Sequence, residues 1–281
     1  MSPWTWNSVW PAPAKLNLFL HVTGRRADGY HLLQTVFRFI DRCDNLRFFP
    51  RDDGQIVLAT PIPGVPPESD LTVRAAQRLQ QASGCRLGAT IHLDKRLPMG
   101  GGLGGGSSDA ATVLLALNHL WQTGLTRDEL ERIGLGLGAD VPVFVHGRNT
   151  FAEGIGEAFT DIELPPATYL VLQPAATVPT AAIFGAPELV RDTPSMRPAE
   201  WHPGIGHNDL EAVACQRFPA IATQLDWLRQ HAPDAMMTGS GACVFAAFAQ
   251  RSAAEAVYAQ RPPGTDGWLA DGLAAHPLAT L

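Results

Sequence analysis

The residues whose types and spacing best suit chemistry lie in one glycine-rich segment, from Pro98 to Ser108. Six of the seven positions from 100 to 106 are glycine, and two serines follow before an apolar run that predicts a helix. Glycine lets the backbone adopt left-handed conformations and lets a ligand approach the amide groups closely. A helix after such a loop directs its free N–H groups and the positive end of its dipole back toward it. The segment therefore predicts a phosphate-binding loop.

Two common phosphate-binding loops do not account for this segment. A Walker loop ends in Gly-Lys-Ser or Gly-Lys-Thr, but here the last glycine precedes Ser107 and no lysine lies nearby downstream. Gly100, Gly102 and Gly105 match the dinucleotide spacing G-x-G-x-x-G, but a match among so many glycines is weak evidence. The chain also lacks an early Rossmann unit, which disfavours a dinucleotide oxidoreductase. We predict that Ser107 or Ser108 caps the helix and leaves a hydroxyl free for a phosphate or its metal ion.

Two charged residues outside the loop, Asp140 and Lys15, lie in settings that allow either a structural or a chemical role. Asp140 follows a predicted helix and a glycine, where an aspartate is either a turn residue or a general base. Lys15 lies on a predicted strand, where a lysine is usually solvated. Strand alternation predicts one face with Leu16, Leu18, Leu20 and Val22, and an opposite face with Lys15, Asn17, Phe19 and His21.

Composition excludes several classes of protein. The 281 residues are 46% hydrophobic and 17% charged, which indicates a compact enzyme rather than a disordered or fibrous chain. The formal net charge of −6 argues against nonspecific binding of nucleic acid, although local basic residues remain available to an anionic substrate.

The sequence also predicts where the protein works. Its four cysteines are widely spaced and form no metal-binding pattern, which favours reduced thiols. The N-terminus has neither the basic start nor the apolar run of a signal peptide, and no stretch approaches the roughly 20 apolar residues that span a bilayer. We therefore predict a cytoplasmic protein without a membrane partner.

The elements that must position these residues form a mixed order of strands and helices. Because the order is not a regular βαβ alternation, it predicts an α+β fold. The spacing of apolar residues predicts strands at 14–22, 32–40, 47–49, 56–58, 89–93, 141–145 and 169–173, and a glycine turn with a strand at 236–245. It predicts helices at 71–82, 108–122, 126–138, 209–216 and 219–230, the third opening with a capping box at 126–129.

Three separated segments together resemble the GHMP small-molecule kinases. They are Pro13-Ala14-Lys15-Leu16-Asn17-Leu18, the glycine-rich segment and the turn from Thr238 to Gly241. Three further segments, at 26–31, 138–144 and 208–211, are similar to the branch that acts on a methylerythritol carrying a cytidine diphosphate. The resemblance runs from about Trp10 to past Phe248, which is nearly the whole chain.

This resemblance implies a fold of two lobes with the active site in the cleft between them. Residues 1–150 would form an N-terminal ATP-binding lobe with the glycine-rich loop, and residues 151–281 a C-terminal lobe. The implied reaction transfers the γ-phosphoryl group of ATP to the 2-hydroxyl of the methylerythritol substrate, in non-mevalonate isoprenoid precursor biosynthesis. The chemistry implies Mg²⁺ as well, for which Ser108 and Asp140 are the candidate ligands.

The resemblance also implies roles for individual residues. Lys15 and Asp140 would be the catalytic pair. ATP would be bound by Pro98, Met99, Gly100, Gly101, Gly102, Leu103, Gly104, Gly105, Gly106, Ser107 and Ser108. The second substrate would contact Asn17, Tyr30, His31, Thr180, Phe184, Gly239, Ser240 and Gly241.

In these roles, Tyr30 would stack on the cytosine and His31 would hydrogen-bond to it. Near the predicted adenine site, Asp70 stands where the family has Asn, which puts a direct adenine contact by this side chain in doubt. Lys95 would either pack along the purine or be solvated.

Two alternative functions remain open. Another kinase of the same superfamily would act on homoserine, mevalonate or a sugar, but the segments 28–31 and 138–140 argue against it. A nucleotide-binding sensor without catalysis would not need to keep both Lys15 and Asp140.

Overall fold

The computed structural model describes residues 3–281 and contains two β-sheets. The strands of the larger sheet are β1 (Trp10–Arg25), β2 (His31–Arg51), β3 (Ile56–Leu58), β4 (Gly88–Asp94), β5 (Thr150–Glu153) and β6 (Ala158–Asp161). Their order is β3-β4-β2-β5-β6, with β1 paired to β2. The smaller sheet is built from β7 (Thr168–Gln173), β8 (Met236–Met237), β9 (Val244–Phe248) and β10 (Asp266–Asp271), in the order β10-β7-β9-β8.

Helices pack against both sheets, which confirms the predicted α+β class. Those of the first lobe are α1 (Leu71–Ser83), α2 (Gly105–Leu120), α3 (Arg127–Leu135) and α4 (Val141–His146). Those of the second lobe are α5 (Thr180–Phe184), α6 (Asp209–Arg217), α7 (Pro219–Arg229) and α8 (Arg251–Ala259). Short 3₁₀ turns lie at Pro67–Ser69 and Pro198–Glu200.

Helix α2 is the centre of the first lobe. Every residue from Ser108 to Leu117 is buried, because the helix is enclosed by α1, α3, α4 and β1. An apolar helix buried on all sides is held by its surroundings rather than by its own propensity. The loop that precedes it is thereby fixed in place.

Strand β1 runs through both lobes and connects their cores. Trp10 packs in the core of the first lobe and Val22 in that of the second. Between them, Leu16 of β1 shares a third core with Val171 and Phe245 of the smaller sheet. The continuous strand therefore fixes the position of one lobe relative to the other.

The predicted alternation along β1 is correct for Lys15 and Asn17 and wrong beyond them. A register shift between Asn17 and Leu20 turns the strand, so that Leu20 lines the interlobe cleft. Phe19 is instead buried against Phe151, and the His21 ring contacts His207. An irregularity of one residue exchanges the two faces of a strand.

Several predicted boundaries were wrong. Residues 141–145 form helix α4 and not a strand, because Pro142 suits the first turn of a helix and the segment is buried on all sides. The predicted strands at 32–40 and 47–49 are one strand, β2. Helix α3 ends at Leu135, earlier than predicted, but its predicted capping box between Thr126 and Glu129 is confirmed.

The chain does not pass from the larger sheet to the smaller one at residue 150, the predicted boundary between the lobes. Strands β5 and β6 pair within the first sheet, so the first lobe extends to Asp161. The end of the chain also returns to this lobe, where Leu278 is buried in the core.

The four cysteines, Cys43, Cys85, Cys215 and Cys243, all have free thiols. Among residues 3–281, no helix combines the length and the apolar character that crossing a membrane requires.

Candidate active site

A cavity of about 970 Å³ lies between the two lobes. The glycine-rich loop, β1, β2, α5 and the turn at 239–241 contribute to its walls. The structure brings every predicted site residue except Ser108 into this cleft: Lys15, Asn17, Tyr30, His31, Pro98, Met99, Gly100, Gly101, Gly102, Leu103, Gly104, Gly105, Gly106, Ser107, Asp140, Thr180, Phe184, Gly239, Ser240 and Gly241.

The glycine-rich loop is held against the second lobe at distances that exclude side chains. Gly102 has a φ of +73°, and a Cβ there would lie 2.0 Å from the carbonyl oxygen of Thr238. Gly104 has a φ of +71°, and its Cβ would lie 2.8 Å from the ring of Phe144. Both a left-handed backbone and a close approach therefore require glycine at these positions. The carbonyl of Gly100 accepts a hydrogen bond from the amide of Ala242, at 3.0 Å.

Helix α2 begins earlier than predicted. Its N-cap is Gly104, and Gly105 is the first helical residue, so the predicted cap at Ser107 or Ser108 was wrong. Ser108 is fully buried, and its hydroxyl donates to the carbonyl of Pro13 at 2.7 Å. This hydroxyl is therefore not available to a phosphate or a metal ion. Ser107, one residue earlier, lines the cleft together with the first turn of the helix.

The ammonium of Lys15 has three oxygen partners in the cleft. Its Nζ lies 3.4 Å from Oδ2 of Asp140, donates to Oδ1 of Asn17 at 2.5 Å, and donates to the carbonyl of Gly102 at 3.0 Å. The Lys15 side chain is only 3% exposed. A nearly buried cation is thus held between the predicted base and the glycine-rich loop. The positive charge that a Walker loop obtains from its own lysine comes here from another strand.

Asp140 keeps its carboxylate free for the cleft. It precedes α4 with a φ of −86° and a ψ of −9°, and its side chain makes no capping hydrogen bond. The side chain is 38% exposed, so a ligand in the cleft has access to it. The carboxylate of Asp140 can therefore accept a proton. Beside it, the ammonium of Lys15 and the glycine-rich loop can attract an anion.

A hydrogen-bond network behind Lys15 fixes its orientation. Asn17 donates from Nδ2 to the hydroxyl of Thr35 at 2.9 Å, which leaves its Oδ1 to face Lys15. The backbone amide of Asn17 donates to the hydroxyl of Thr238 at 3.0 Å. The role of Thr35 could not be found from the sequence, because threonine is common within strands. Thr238 was noted only as the start of the late glycine turn.

The late glycine turn is held by α6. The N-cap residue Asn208 donates from Nδ2 to the carbonyls of Met237 and Gly239, both at 2.8 Å. At the other side of the turn, the hydroxyl of Ser240 lies 2.8 Å from that of Thr180. The two second-lobe elements predicted to contact substrate are therefore hydrogen-bonded to one another.

An aromatic pair lies at the far end of the cleft. The rings of His31 and Phe184 are 5.1 Å apart and inclined by 34°, whereas the adjacent Tyr30 is 58% exposed. Burial, together with the positive charges of Arg191 and Arg25, lowers the pKa of His31. The ring is therefore neutral at pH 7. A flat neutral surface with a ring nitrogen suits a heteroaromatic base.

Lys95 is not free in solvent but is held by two carboxylates. Its ammonium lies beneath the loop, between Asp44 and Oδ2 of Asp109, the latter at 2.7 Å. The side chains of both aspartates are almost completely buried. Burial raises the pKa of Asp109 to about 8. This triad could not be found from the sequence, because its members lie 14 to 65 positions apart.

Asp70 has a structural role as the N-cap of helix α1. Its Oδ1 accepts a hydrogen bond from the amide of Thr72 at 2.8 Å and caps helix α1. Asp70 is only 3% exposed, although it lines the cleft.

Of the two residues predicted to bind magnesium, only Asp140 remains a candidate. Within the part of the chain that the structure describes, no group of three or more His, Cys, Asp or Glu residues is arranged to hold a metal ion. Of the two predicted ligands, Asp140 faces the cleft and Ser108 does not. One carboxylate beside the glycine-rich loop fits Mg²⁺, which commonly binds through one or two carboxylates, substrate phosphates and water.

Gly104→Ala is expected to lower kcat/KM for ATP by at least about tenfold, because its methyl group would displace Phe144 and the Lys15 side chain from the loop. Gly124→Ala is the matched control. Gly124 has a similar φ of +70°, lies outside the cleft and has nothing within 4 Å of its Cβ position. Steady-state kinetics of both variants would check this, and wild-type kinetics in a folded Gly104→Ala protein would contradict it.

Comparisons with known proteins agree with this geometry. The model of the GHMP kinases N-terminal domain matches residues 70–148, and that of the GHMP kinases C-terminal domain matches residues 197–262. The chain is 79% identical to a 4-diphosphocytidyl-2-C-methyl-D-erythritol kinase of Dechloromonas aromatica (strain RCB), over 97% of this chain and 100% of the relative. A kinase with the same name from Azoarcus sp. (strain BH72) is 59% identical, over 96% of both chains.

Solved structures share the fold. A crystal structure of 4-(cytidine 5′-diphospho)-2C-methyl-D-erythritol kinase superposes with a TM-score of 0.78 at 34% identity, covering 94% of this chain and 99% of that one. The mevalonate kinase of Methanococcus jannaschii superposes with a TM-score of 0.69 at 14% identity, covering 95% of this chain and 98% of that one. At that identity the second likeness concerns the fold alone.

Proposed function

Because the chain belongs to the 4-diphosphocytidyl-2-C-methyl-D-erythritol kinases of the GHMP family, we propose that it transfers the γ-phosphoryl group of ATP to the 2-hydroxyl of 4-diphosphocytidyl-2-C-methyl-D-erythritol. This reaction belongs to non-mevalonate isoprenoid precursor biosynthesis. The observation that carries the proposal is the pair of Lys15 and Asp140, 3.4 Å apart and facing the glycine-rich loop.

In the proposed mechanism Asp140 accepts the proton of the acceptor hydroxyl. The hydroxyl oxygen forms a bond to the γ-phosphorus, while the bond from that phosphorus to the β–γ bridging oxygen breaks and ADP leaves with the electron pair. Lys15 stabilises the negative charge of the transferring group, because its ammonium is fixed in position before the reaction starts. Asn17 orients this ammonium through Oδ1 and is a positioning residue.

The nucleotide phosphates are proposed to lie on the first turn of α2. The free amides there and the hydroxyl of Ser107 are the donors that this turn offers. Mg²⁺, when bound with the nucleotide, neutralises charge on the outer phosphates. Asp140 is the protein group proposed to lie next to it.

The cytosine of the substrate is proposed to bind at the other end of the cleft. Phe184 and His31 offer a ring pair in the wall, and the exposed ring of Tyr30 is available to cover the base from the opposite side. Thr180 and Ser240 line the stretch between this end and the glycine-rich loop.

We propose a small-molecule enzyme of the cytoplasm, without nucleic-acid or membrane partners. The four free thiols and the net charge of −6 support this proposal.

Tyr30→Ala tests the cytosine site. Binding energy from the base positions the remote hydroxyl, so methylerythritol phosphate without the cytidylyl group should be a very poor acceptor for the wild type. The variant should lose about tenfold in kcat/KM for the full substrate and little for the truncated one, as expected for one stacked base. Phe49→Ala, which alters another exposed aromatic outside the cleft, is the control. An equal loss on both substrates would remove Tyr30 from the base site.

A further inference from the structure

Arg191 connects the two halves of the base site. It lies between α5 and α6, and its guanidinium donates from Nη1 to the carbonyl of Leu189 at 2.9 Å. From Nη2 it donates to the carbonyls of Phe184 and Ala186, at 3.1 and 2.5 Å. These three bonds fix the guanidinium on the segment that carries Phe184. Its remaining bond crosses to the first lobe, where Nε donates to Nε2 of His31 at 3.1 Å.

This last hydrogen bond determines which nitrogen of His31 carries the proton. Arginine has only donors, so Nε2 of His31 must accept. A neutral imidazole has one protonated nitrogen, which leaves the proton on Nδ1. The ring is neutral because burial and the nearby arginines lower its pKa. In the part of the chain that the structure describes, Nδ1 has no hydrogen-bond partner, and His31 lines the cleft.

We infer that Arg191 is a positioning residue that holds His31 with its proton on Nδ1, so that the base site offers a hydrogen-bond donor to the pyrimidine. This inference rests on the proposed function. Cytosine has acceptors at N3 and O2, whereas N3 of uracil carries a hydrogen. A fixed donor facing N3 therefore pairs with cytosine and opposes uracil, because it leaves two donors facing each other.

Arg191 has a second effect on the same site. Its Nη2 bond to the carbonyl of Phe184 fixes the end of α5, and the Phe184 ring lies 5.1 Å from that of His31. Arg191 thus sets both the distance between the rings of His31 and Phe184 and the nitrogen of His31 that donates a hydrogen bond. Such second-layer partners commonly orient the groups that touch a ligand.

The test compares the wild type with Arg191→Met and Arg191→Lys. The ring ¹⁵N shifts of His31, assigned with a His31→Gln variant, report the tautomer directly. The ratio of kcat/KM for the cytidine substrate to that for its uridine counterpart measures how strongly the enzyme prefers cytosine to uracil. Arg217→Met is the matched control, because Arg217 anchors the same segment through Glu188 and the carbonyl of Ala182 without contacting His31.

We expect the wild type to show the Nδ1-protonated tautomer and to prefer cytidine. In Arg191→Met the His31 pKa should rise, the Nε2-protonated form should appear, and the cytidine preference should fall about tenfold, as for one lost hydrogen bond. The loss should fall mainly on KM. Arg191→Lys should behave like Arg191→Met, because an ammonium does not reproduce the planar fork of the guanidinium. Arg217→Met should keep both properties of the wild type.

Two results would overturn the inference. One is the observation that His31 of the wild-type protein carries its proton on Nε2. This measurement is made on the wild type, so it remains valid even if Arg191→Met does not fold. The other is a folded Arg191→Met protein with an unchanged tautomer and an unchanged cytidine preference. A wild type that does not phosphorylate the cytidine substrate would instead contradict the proposed function.

Discussion

Asp140→Asn is expected to lower kcat by roughly 10²–10⁴, the usual range for a positioned general base. Asparagine has nearly the same shape, and Lys15 keeps its hydrogen bonds to Asn17 and to the carbonyl of Gly102. The site should therefore retain its form and still bind ATP and substrate. What is lost is the group that takes the proton of the acceptor hydroxyl. The measurement is kcat by ADP release, together with the Kd of ATP.

The control for this variant is Asp128→Asn, an equivalent change at an exposed acid in the first turn of α3. It should leave kcat unchanged. Turnover by Asp140→Asn at more than about one tenth of the wild-type rate would show that this carboxylate is not the base.

Lys95→Met is expected to lower the free energy of unfolding by about 3–5 kcal/mol, because it leaves the buried carboxylate of Asp44 without its cation. The side chain of Asp44 is 0% exposed and that of Asp109 is 2% exposed, so neither can recover hydration. Urea unfolding at pH 7 measures the loss. The double variant Lys95→Met/Asp44→Asn should regain a large part of it, because the uncompensated charge is then gone. A loss below about 1 kcal/mol in the single variant would mean that water or another cation reaches the pair.

The same triad predicts how stability depends on pH. Burial raises the pKa of Asp109 from 3.8 to about 8, so between these values the folded protein holds a proton that the unfolded chain has released. Stability contributed by that proton is present below about pH 4 and is lost as pH rises toward 8. Asp109→Asn should flatten this part of the curve, as measured by urea unfolding at pH 5 and pH 8.

Local patterns in the sequence predicted the parts of the site that depend on local chemistry. Gly102 and Gly104 were predicted as a loop because only glycine suits such a backbone, and the structure shows both with positive φ. The capping box at Thr126 was visible because its two partners are three residues apart. The cleft also contains Lys15 and Asp140, which were found through a resemblance and not through spacing.

The sequence could not predict features that depend on contacts between distant segments. Ser108 was expected to be a ligand, but its hydroxyl is used by Pro13, 95 positions away. Residues 141–145 have the β-branched composition of a strand, yet burial on every side and Pro142 produce a helix. Arg191 stands in an irregular segment, and its contact with His31 spans 160 positions. Neither periodicity nor a short motif indicates such pairs.

The most direct test of the central claim is ADP release by the wild-type protein with ATP, Mg²⁺ and one of three acceptors. The acceptors are 4-diphosphocytidyl-2-C-methyl-D-erythritol, homoserine and mevalonate, each at the same concentration. We expect the first to give a kcat/KM at least about 100-fold above the other two, because only it carries the base that the distal pocket would bind. Equal or faster ADP release with homoserine or mevalonate would contradict the proposed function.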